Sequence, residues 1–354
     1  MNKVSYLLNK VRHGVRISPE EALLLARKAQ IHELGRTAFS VRSRMYKDKA
    51  FFIYNQHLNY TNICSNACIF CAYSRQEGEE GAYTMSVDQI RKAVLDRIHE
   101  PIDEIHIVGG LNPDIPYAYY LDMLSAVKEL RPKVRIKAFT AVEIAFLSAK
   151  YGLTRKRILL DFVQAGLDAL PGGGAEVFAP RLRRRLCPEK LSGEEWLKIH
   201  ELAHSLNIPT NCTLLFGHIE AWEDRLEHLN ALRDLQDRTN GFLCFIPLPY
   251  QPGSNDLKAG GPDGLDMTRM WALSRIFLDN IPHIKAYWVF AGIKAAQVGL
   301  WCGADDFDGT IVEEKVGHAA GADTPKGLDI DSLKHHILAA GFIPVHRDSF
   351  FQPR

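Results

Sequence analysis

The chain has 354 residues, of which 46% are hydrophobic and 24% charged, with a formal net charge of +1. These are ordinary globular values, and they allow one large α/β domain or two smaller ones. A net charge so near zero gives no electrostatic reason to expect nucleic acid or an anionic membrane as a partner. Seven cysteines, three of them clustered, argue against a disulfide framework and favour a reducing cytoplasm.

The first 49 residues are predicted to be helical. Polar residues interrupt the apolar ones near the N-terminus, so it lacks the continuous apolar core of a signal peptide, and no apolar run is long enough to span a bilayer. We therefore expect a soluble cytoplasmic protein. Ser18 and Glu21 predict a capping box at the start of one helix, and Ser192 and Glu195 predict another further along.

From about residue 50, apolar runs of strand length alternate with amphipathic segments of helix length, which predicts a parallel sheet covered on both faces. Strands are predicted near residues 53–60, 104–109, 134–140, 167–170, 209–215, 242–247, 284–289 and 303–307. Eight such units predict a (β/α)8 TIM-type barrel of about 250 residues. Because the fourth and eighth strands are short, an incomplete six-stranded barrel is the alternative.

This reading divides the chain into three parts. We expect an N-terminal helical extension over 1–49, the barrel over 50–320, and a C-terminal tail over 321–354 that packs on the barrel. The Gly- and Pro-rich stretch 251–266 is predicted to be a functional lid, with a plain connection as the alternative.

Three thiols stand close together in the segment that follows the first predicted strand. Cys64, Cys68 and Cys71 are spaced Cys-x3-Cys-x2-Cys, so one loop can wrap a compact inorganic centre. Three thiolates around a four-iron cluster leave one iron free for another ligand. A zinc site normally has a fourth Cys or His, and His57 is the one near candidate. Unrelated buried thiols are the other alternative, which such clustering disfavours.

Glycines follow two of the predicted strands, where barrel enzymes place their active sites. Gly109 and Gly110 would let backbone approach a ligand closely, or would form a simple turn. Gly172, Gly173 and Gly174 could present amide N–H groups to a carboxylate. The next candidate, Glu176, is an acid–base group or an exposed carboxylate in the first turn of a helix.

The fifth and eighth strands also carry polar residues. Asn211 alternates with apolar neighbours, so it could point into the barrel mouth, and His218 is a catalytic candidate or a structural hydrogen-bonding group. Residues 305–310 are rich in aspartate, and a polar network is favoured over a metal loop because the calcium-loop pattern is incomplete. The four scattered cysteines are predicted to be small buried hydrophobes: Cys187, Cys212, Cys244 and Cys302.

The cysteine spacing, with Phe70 directly before the last Cys, resembles the signature of the radical S-adenosylmethionine (SAM) superfamily. Longer segments are similar to the aminofutalosine synthases of the futalosine route to menaquinone, and the resemblance covers residues 50–350. Those segments are AGLDALPGGGAEVF, TLLFGHIEAWEDRLEHLNALRDLQDRTNGFLCFIPLPY, LDNIPHIKAYWVFAG and GADDFDGTIVEEKVGHAAGADTP.

The resemblance implies a [4Fe-4S] cluster on Cys64, Cys68 and Cys71, with SAM bound to the open iron and Phe70 packed near its adenine. It also implies that the 5′-deoxyadenosyl radical adds to the vinyl carbon of 3-[(1-carboxyvinyl)oxy]benzoate. The products would be 6-amino-6-deoxyfutalosine, methionine and bicarbonate. A reducing partner such as flavodoxin or ferredoxin is expected, and the protein could be a homodimer.

Substrate and cofactor contacts follow from the same resemblance. A substrate with two carboxylates needs cationic or N–H donors, and Arg75, Arg269 and Lys285 are candidates, with His218 and Asn211 as neutral partners. Many members of the superfamily have Gly-Gly-Glu after the second strand, whose Glu helps to hold the cofactor. Here Leu111 replaces that Glu, although the carbonyls of Gly109 and Gly110 could still accept the cofactor's amino group. Glu143 could bind the ribose or lie on the surface.

Two alternative functions are open. The related cyclic dehypoxanthine futalosine synthases would abstract hydrogen and release 5′-deoxyadenosine, whereas a synthase incorporates it into product. A non-catalytic iron–sulfur electron-transfer protein would not cleave SAM at all.

Overall fold

The computed structural model describes residues 2–253, 255–313 and 315–354. The strands in this part of the chain are β1 (Lys49–Ile53), β2 (Asn55–Leu58), β3 (Glu104–Ile107), β4 (Arg135–Ala138), β5 (Thr210–Phe216), β6 (Phe242–Pro249), β7 (His283–Ile284), β8 (Asp306–Gly309) and β9 (Ile343–His346). The helices are α1 (Lys3–Arg12), α2 (Pro19–Lys28), α3 (Ile31–Tyr46), α4 (Val87–Leu95), α5 (Tyr117–Leu130), α6 (Ala141–Tyr151), α7 (Arg155–Ala165), α8 (Pro180–Leu186), α9 (Gly193–Ser205), α10 (Trp222–Thr239), α11 (Gly264–Phe277), α12 (Trp288–Ala291), α13 (Ile293–Trp301), α14 (Val316–Ala319) and α15 (Ile330–Ala339).

Parallel pairing closes these strands into a barrel with eight positions. β1 and β2 together form the first position, followed by β3 and β4, and β5, β6 and β7 form a second continuous stretch. Single parallel bridges at residues 169 and 170 join β4 to β5, and a bridge from Lys285 to Asp306 joins β7 to β8. β8 pairs with β1 and completes the circuit. The predicted TIM-type barrel is confirmed, and the incomplete barrel is excluded.

The predicted strands differ from the observed ones where the ladder is weakest. The first position is split at Tyr54, whose carbonyl accepts from the N–H of Asp103 at 2.8 Å. The fourth position consists only of the bridging residues Ala169 and Leu170. β7 is shorter than predicted because the chain turns into α12 at Trp288. Short apolar runs alone could not show these interruptions.

The C-terminal residues form a helix and a further strand. β9 pairs in parallel with β1, on the side of β1 opposite to β8. β2, which continues β1, pairs with β3 instead. The wall next to the first position is therefore completed by β9 at the amino ends of the strands and by β3 nearer their carboxyl ends. The proposed division at residue 321 stays a prediction.

Caps define where several helices begin. The predicted capping box at Ser18 and Glu21 is confirmed, with both reciprocal hydrogen bonds present. Ser192 also caps its helix, but the second predicted box is wrong. The Glu195 carboxylate pairs with Arg155 at 2.6 Å instead of returning to the cap. No helix in the described part of the chain is long and apolar enough to cross a membrane.

Candidate active site

A cavity of about 360 Å³ lies at the carboxyl ends of the barrel strands, a size typical of small-molecule sites. The three clustered cysteines line it. So do ten other residues singled out from the sequence: Phe70, Gly109, Gly110, Glu143, Gly172, Gly173, Gly174, Glu176, Asn211 and Lys285. Barrel closure therefore brings together side chains that lie more than 200 positions apart in the chain.

The cysteine loop, defined as residues 62–71, is fixed by backbone hydrogen bonds to its neighbours. The N–H of Ser65 donates to the carbonyl of Leu111 at 3.0 Å. The N–H of Ile69 donates to the carbonyl of Leu186, also at 3.0 Å. Anchoring from two sides leaves the three cysteine side chains partly exposed at the cavity wall.

The glycines after β3 allow the cysteine loop to lie directly on that strand end. A Cβ atom on Gly110 would come within 2.1 Å of the carbonyl oxygen of Ile63, and one on Gly109 within 2.7 Å of the Tyr60 ring. A side chain at Gly110 would require the cysteine loop to move, and one at Gly109 would require the Tyr60 ring to move. Gly110 thus allows the backbone after β3 to lie directly against the cysteine loop, and approach of these glycines to a ligand stays a prediction.

Glu143 is buried beneath the same glycines and is not a surface residue. Its carboxylate accepts from the Tyr60 hydroxyl at 2.9 Å, the Gly109 N–H at 3.2 Å and the Thr140 N–H at 2.6 Å. Burial raises the pKa of Glu143 to about 7, although these donors favour the charged form. Glu143 therefore orients the backbone after β3 as well as lining the cavity.

Two residues that the sequence analysis did not single out as ligands lie beside Cys68. The buried Cys187 thiol hydrogen-bonds the Cys68 sulfur, and this bond lowers the pKa of Cys68 to about 7 against the opposing effect of burial. The ammonium of Lys190 acts in the same direction. Burial, in contrast, raises the pKa of Cys64. The surroundings of Cys68 favour a thiolate, which is the form that binds metal.

Lys190 forms an ion pair inside the cavity with Glu176, at 2.7 Å. The Lys190 ammonium also lies 5.3 Å from the centre of the Phe70 ring, within reach of a cation–π interaction. The exposed alternative for Glu176 is excluded, since 12% of its side chain is accessible. This pair places one positive and one negative charge next to the cysteine loop.

The triglycine segment, Gly172–Gly174, lines the cavity. The carbonyl of Gly172 accepts from the Thr213 hydroxyl, and the carbonyl of Gly173 accepts from the indole N–H of Trp196. Within the described residues, the three glycine N–H groups make no hydrogen bond to protein. A Cβ atom on Gly172 would come within 2.7 Å of the backbone of Cys212, so this strand end requires glycine. That these N–H groups bind a carboxylate stays a prediction.

Six charged residues form what we call the charged floor at the inner end of the barrel: Glu104, Lys137, Lys285, Asp306, Asp308 and Arg347. All are buried. Lys137 pairs with Glu104 at 2.7 Å and Lys285 with Asp308 at 2.8 Å, while Arg347 pairs with Asp306. The aspartates after residue 304 are thus part of a polar network, as the sequence favoured.

Three predicted site residues lie elsewhere, and those assignments are corrected. The guanidinium of Arg269 donates to the carbonyls of Ala26 and Ala29, at 3.0 Å each, so it joins α11 to the end of α2. Arg75 uses its side chain on neighbouring backbone carbonyls. The side chain of His218 is fully buried and contacts Glu220, the structural role given as its alternative. None of the three lines the cavity.

Two further sequence predictions concern the scattered cysteines and the 251–266 loop. Cys187, Cys212 and Cys244 are buried as predicted, whereas Cys302 is half-buried. The N–H of Asp256 donates to the carbonyl of Ile69 at 2.9 Å, so the loop touches the cysteine loop. Ser254 lies outside the described residues. A lid function stays a prediction.

Comparison with known families agrees with the geometry of the cavity. The family described as "Radical SAM superfamily" matches residues 58–232, and the "CofH/MqnC C-terminal region" matches residues 239–354. Three thiols on one wall, beside a lysine and with Cys68 disposed to ionise, are a suitable donor set for the cluster of that superfamily.

Similar proteins cover almost the whole chain. Aminodeoxyfutalosine synthase of Thermus thermophilus is 45% identical over 98% of this chain and 94% of its own. The enzyme of the same name from Streptomyces coelicolor is 39% identical over 98% and 92%. Cyclic dehypoxanthine futalosine synthase of Streptomyces coelicolor is 36% identical over 98% and 88%.

Solved structures support the fold. Methylornithine synthase has a TM-score of 0.74 at 18% identity, covering 96% of this chain and 97% of its own. The hydrogenase maturase HydG from Carboxydothermus hydrogenoformans has a TM-score of 0.73 at 16% identity, covering 98% and 80%. At such identities the likeness concerns the architecture alone.

Proposed function

Because the chain belongs to the radical SAM superfamily, we propose that it catalyses the aminodeoxyfutalosine synthase reaction in menaquinone biosynthesis. The adenosyl group of SAM is joined to the vinyl carbon of 3-[(1-carboxyvinyl)oxy]benzoate, and 6-amino-6-deoxyfutalosine, methionine and bicarbonate are formed. The observation that carries this proposal is the 45% identity to a synthase over 98% of the chain, against 36% for the cyclase.

The cysteine loop supplies the ligands of the cofactor. Cys64, Cys68 and Cys71 would hold a [4Fe-4S] cluster and leave one iron for SAM. The cluster, when reduced with SAM bound, supplies the 5′-deoxyadenosyl radical. Everything else that the chain contributes is binding, orientation and exclusion of water. A one-electron donor is required, and flavodoxin or ferredoxin is the expected class.

The ion pair beside the loop suits the methionine part of SAM. An amino acid moiety carries one ammonium and one carboxylate, and Glu176 and Lys190 offer the complementary charges next to Cys68. Glu176 would then take the place of the glutamate that Leu111 replaces. Phe70 lies on the same wall and would pack against the adenine, and Glu143 would contact the ribose.

Product analysis tests the proposed reaction. The protein is reconstituted anaerobically with iron and sulfide, then incubated with SAM, dithionite and 3-[(1-carboxyvinyl)oxy]benzoate. We expect a product that contains both the adenosyl group and the aryl ring. Free 5′-deoxyadenosine formed in equal amount to cleaved SAM, with no adduct, would favour the cyclase instead. Absence of SAM cleavage would favour an electron-transfer protein.

A further inference from the structure

The inner end of the cavity contains two buried lysines. Lys137 is the third residue of β4, and Lys285 bridges to the first residue of β8, so both lie deeper in the barrel than the loops that follow the strands. Their exposed fractions are 3% and 6%. Both line the cavity, whereas the three cysteines stand in a loop beyond the end of β2.

Each lysine keeps hydrogen-bonding capacity beyond its ion pair. An ammonium has three N–H donors. Among the described residues, one acceptor lies at hydrogen-bond distance from each: Glu104 from Lys137 and Asp308 from Lys285, at 2.7 and 2.8 Å. Asp306 is farther from Lys285, at 4.0 Å. The remaining donors can serve a ligand in the cavity.

The C-terminal tail keeps these lysines available. Arg347 pairs with Asp306, and the hydroxyl of Ser349 donates to Glu104 at 2.6 Å. Arg347 is the main charged partner of Asp306, whose carboxylate also accepts from the N–H of Asp308 at 3.0 Å; without Arg347, the charged floor would hold three acids against two bases. With it, acidic and basic side chains balance. We therefore identify Arg347 and Ser349 as positioning residues for the two lysines.

One amide oxygen in the cavity lining has no hydrogen-bond partner among the described residues. The side-chain oxygen of Asn211 is buried and makes no hydrogen bond within the described part of the chain, although the residue lines the cavity. A buried polar atom without a hydrogen bond lowers the stability of the fold, unless a ligand supplies the missing hydrogen bond. Since an asparagine amide can present its NH2 group after a half-turn of the side chain, it suits a ligand with carboxylate or hydroxyl oxygens.

The cavity thus offers two kinds of carboxylate site. Its inner end has charged donors on Lys137 and Lys285, whereas the triglycine segment has uncharged N–H donors. The proposed substrate also has two different carboxylates, since the ring carboxylate is retained and the enolpyruvyl carboxylate is lost. When the bond to the enolpyruvyl carboxylate breaks, its electrons stay on the substrate and CO2 leaves, which water then converts to bicarbonate. Negative charge therefore moves off these oxygens, so an ion pair would stabilise the starting state more than the transition state.

We propose that Lys137 and Lys285 bind the ring carboxylate of the substrate, while the amides of Gly172–Gly174 bind the enolpyruvyl carboxylate. This orientation places the aromatic ring in the barrel interior. It directs the vinyl group outward to the cysteine loop, where the adenosyl group is generated. The inference rests on the proposed function and adds to it which residues distinguish the two ends of the substrate.

The first test needs no variant of the protein. The wild-type enzyme is assayed with 3-[(1-carboxyvinyl)oxy]benzoate and with the corresponding benzamide, which has the same shape but no ring charge. We expect kcat/KM for adduct formation to be about 100-fold lower with the benzamide, because a buried site built for a charged group rejects its neutral analogue. Equal kcat/KM values for the two compounds would overturn the assignment.

The second test asks whether Lys137 is the residue that makes the enzyme prefer the benzoate over the benzamide. The variant Lys137→Met combined with Glu104→Gln removes both members of the ion pair, so no buried charge is left unpaired. We expect it to lose about 100-fold in kcat/KM for the benzoate and little for the benzamide. The matched control is Lys128→Met, which removes a lysine paired with Asp168 at 2.7 Å outside the cavity and should keep the wild-type preference.

Each outcome has a distinct meaning. Should Lys137→Met/Glu104→Gln preserve the benzoate preference, the inference fails while the proposed function stands. Should the wild-type enzyme make no adduct from either compound, the proposed function itself fails. If the double variant does not fold, the pair Lys285→Met/Asp308→Asn is read in the same way. SAM cleavage without substrate should be unchanged in Lys128→Met, because its side chain is paired with Asp168 and does not line the cavity.

Discussion

The cysteine loop and the charged floor both contribute residues to one cavity, and they are built in different ways. The loop places three ligands within eight consecutive positions and is anchored by backbone hydrogen bonds. The floor collects its six charges from β3, β4, β8, the residue after β7 and the tail after β9. Local sequence therefore determines the loop, whereas closure of the barrel determines the floor.

The difference has energetic consequences. The cysteine side chains are partly exposed and would bind an external group, so their loss should affect activity more than folding. The floor residues are buried and paired with one another, so removal of one member leaves an uncompensated charge. We expect substitutions in the cysteine loop to reduce activity without unfolding the protein, and substitutions in the charged floor to lower the free energy of unfolding first.

The largest effect is expected at the cysteines. Replacing Cys64, Cys68 or Cys71 by Ala should reduce SAM cleavage to background, because three thiolates are the minimum that holds the cluster with one iron open. Far-UV circular dichroism should be unchanged. Cys302→Ala is a control at a cysteine outside the cavity and should keep full activity. Retained SAM cleavage in any of the three loop variants would contradict the assignment.

Arg347→Met should give the largest loss of stability. It leaves Asp306 buried and without its main partner, which typically costs about 3–5 kcal/mol. Urea denaturation measures the change in the free energy of unfolding. The double variant Arg347→Met/Asp306→Asn removes both charges and should recover much of the loss. Equal destabilisation of the single and double variants would show that the ion pair is not the cause.

Acid should destabilise the protein through buried histidines. Burial lowers the pKa of His106, beside the charged floor, well below its usual value, and lowers that of His228 to about 3. Below about pH 6.5 the unfolded chain binds protons that the folded chain excludes. The folded state should therefore lose about 1.4 kcal/mol per pH unit for each such histidine as pH falls from 6.5 towards 4.

The same experiment has a direct control. His228 accepts from the N–H of Phe178 and donates to the carbonyl of Thr213, and Asn can supply both functions without titrating. Thermal unfolding of His228→Asn between pH 7.5 and 5 should depend less steeply on pH than that of the wild type. An unchanged slope would exclude His228 as a source of the pH dependence.

The smallest effect is expected at Arg269. Its contacts are two backbone carbonyls at the end of α2, so Arg269→Met should cost about 1 kcal/mol of stability. The value of kcat/KM should stay within about twofold of wild type, because no contact with the cavity is lost. Lys285→Met, at the charged floor, is the comparison variant and should raise KM. A large activity loss in Arg269→Met would contradict the corrected placement.

Residues of the cavity were predictable where strand order alone determined their position. Asn211 and the triglycine segment follow or lie on strands, and the carboxyl ends of parallel strands meet at one end of a barrel. Arg75 and Arg269 were predicted from charge and position alone, and side-chain direction cannot be derived from these. Lys137 and Lys190 were missed, although Lys137 stands in a strand at an alternating position that faces inward.

The sequence by itself determined the cluster ligands, the parallel barrel and the family. Each rests on local spacing or on periodicity repeated along the chain. Only the tertiary structure showed that β9 joins the barrel wall, and that Arg347 and Ser349 bind acids from β8 and β3. These contacts join residues 41 and 245 positions apart. Their energy depends on burial and partner geometry, which exist only once the barrel has closed.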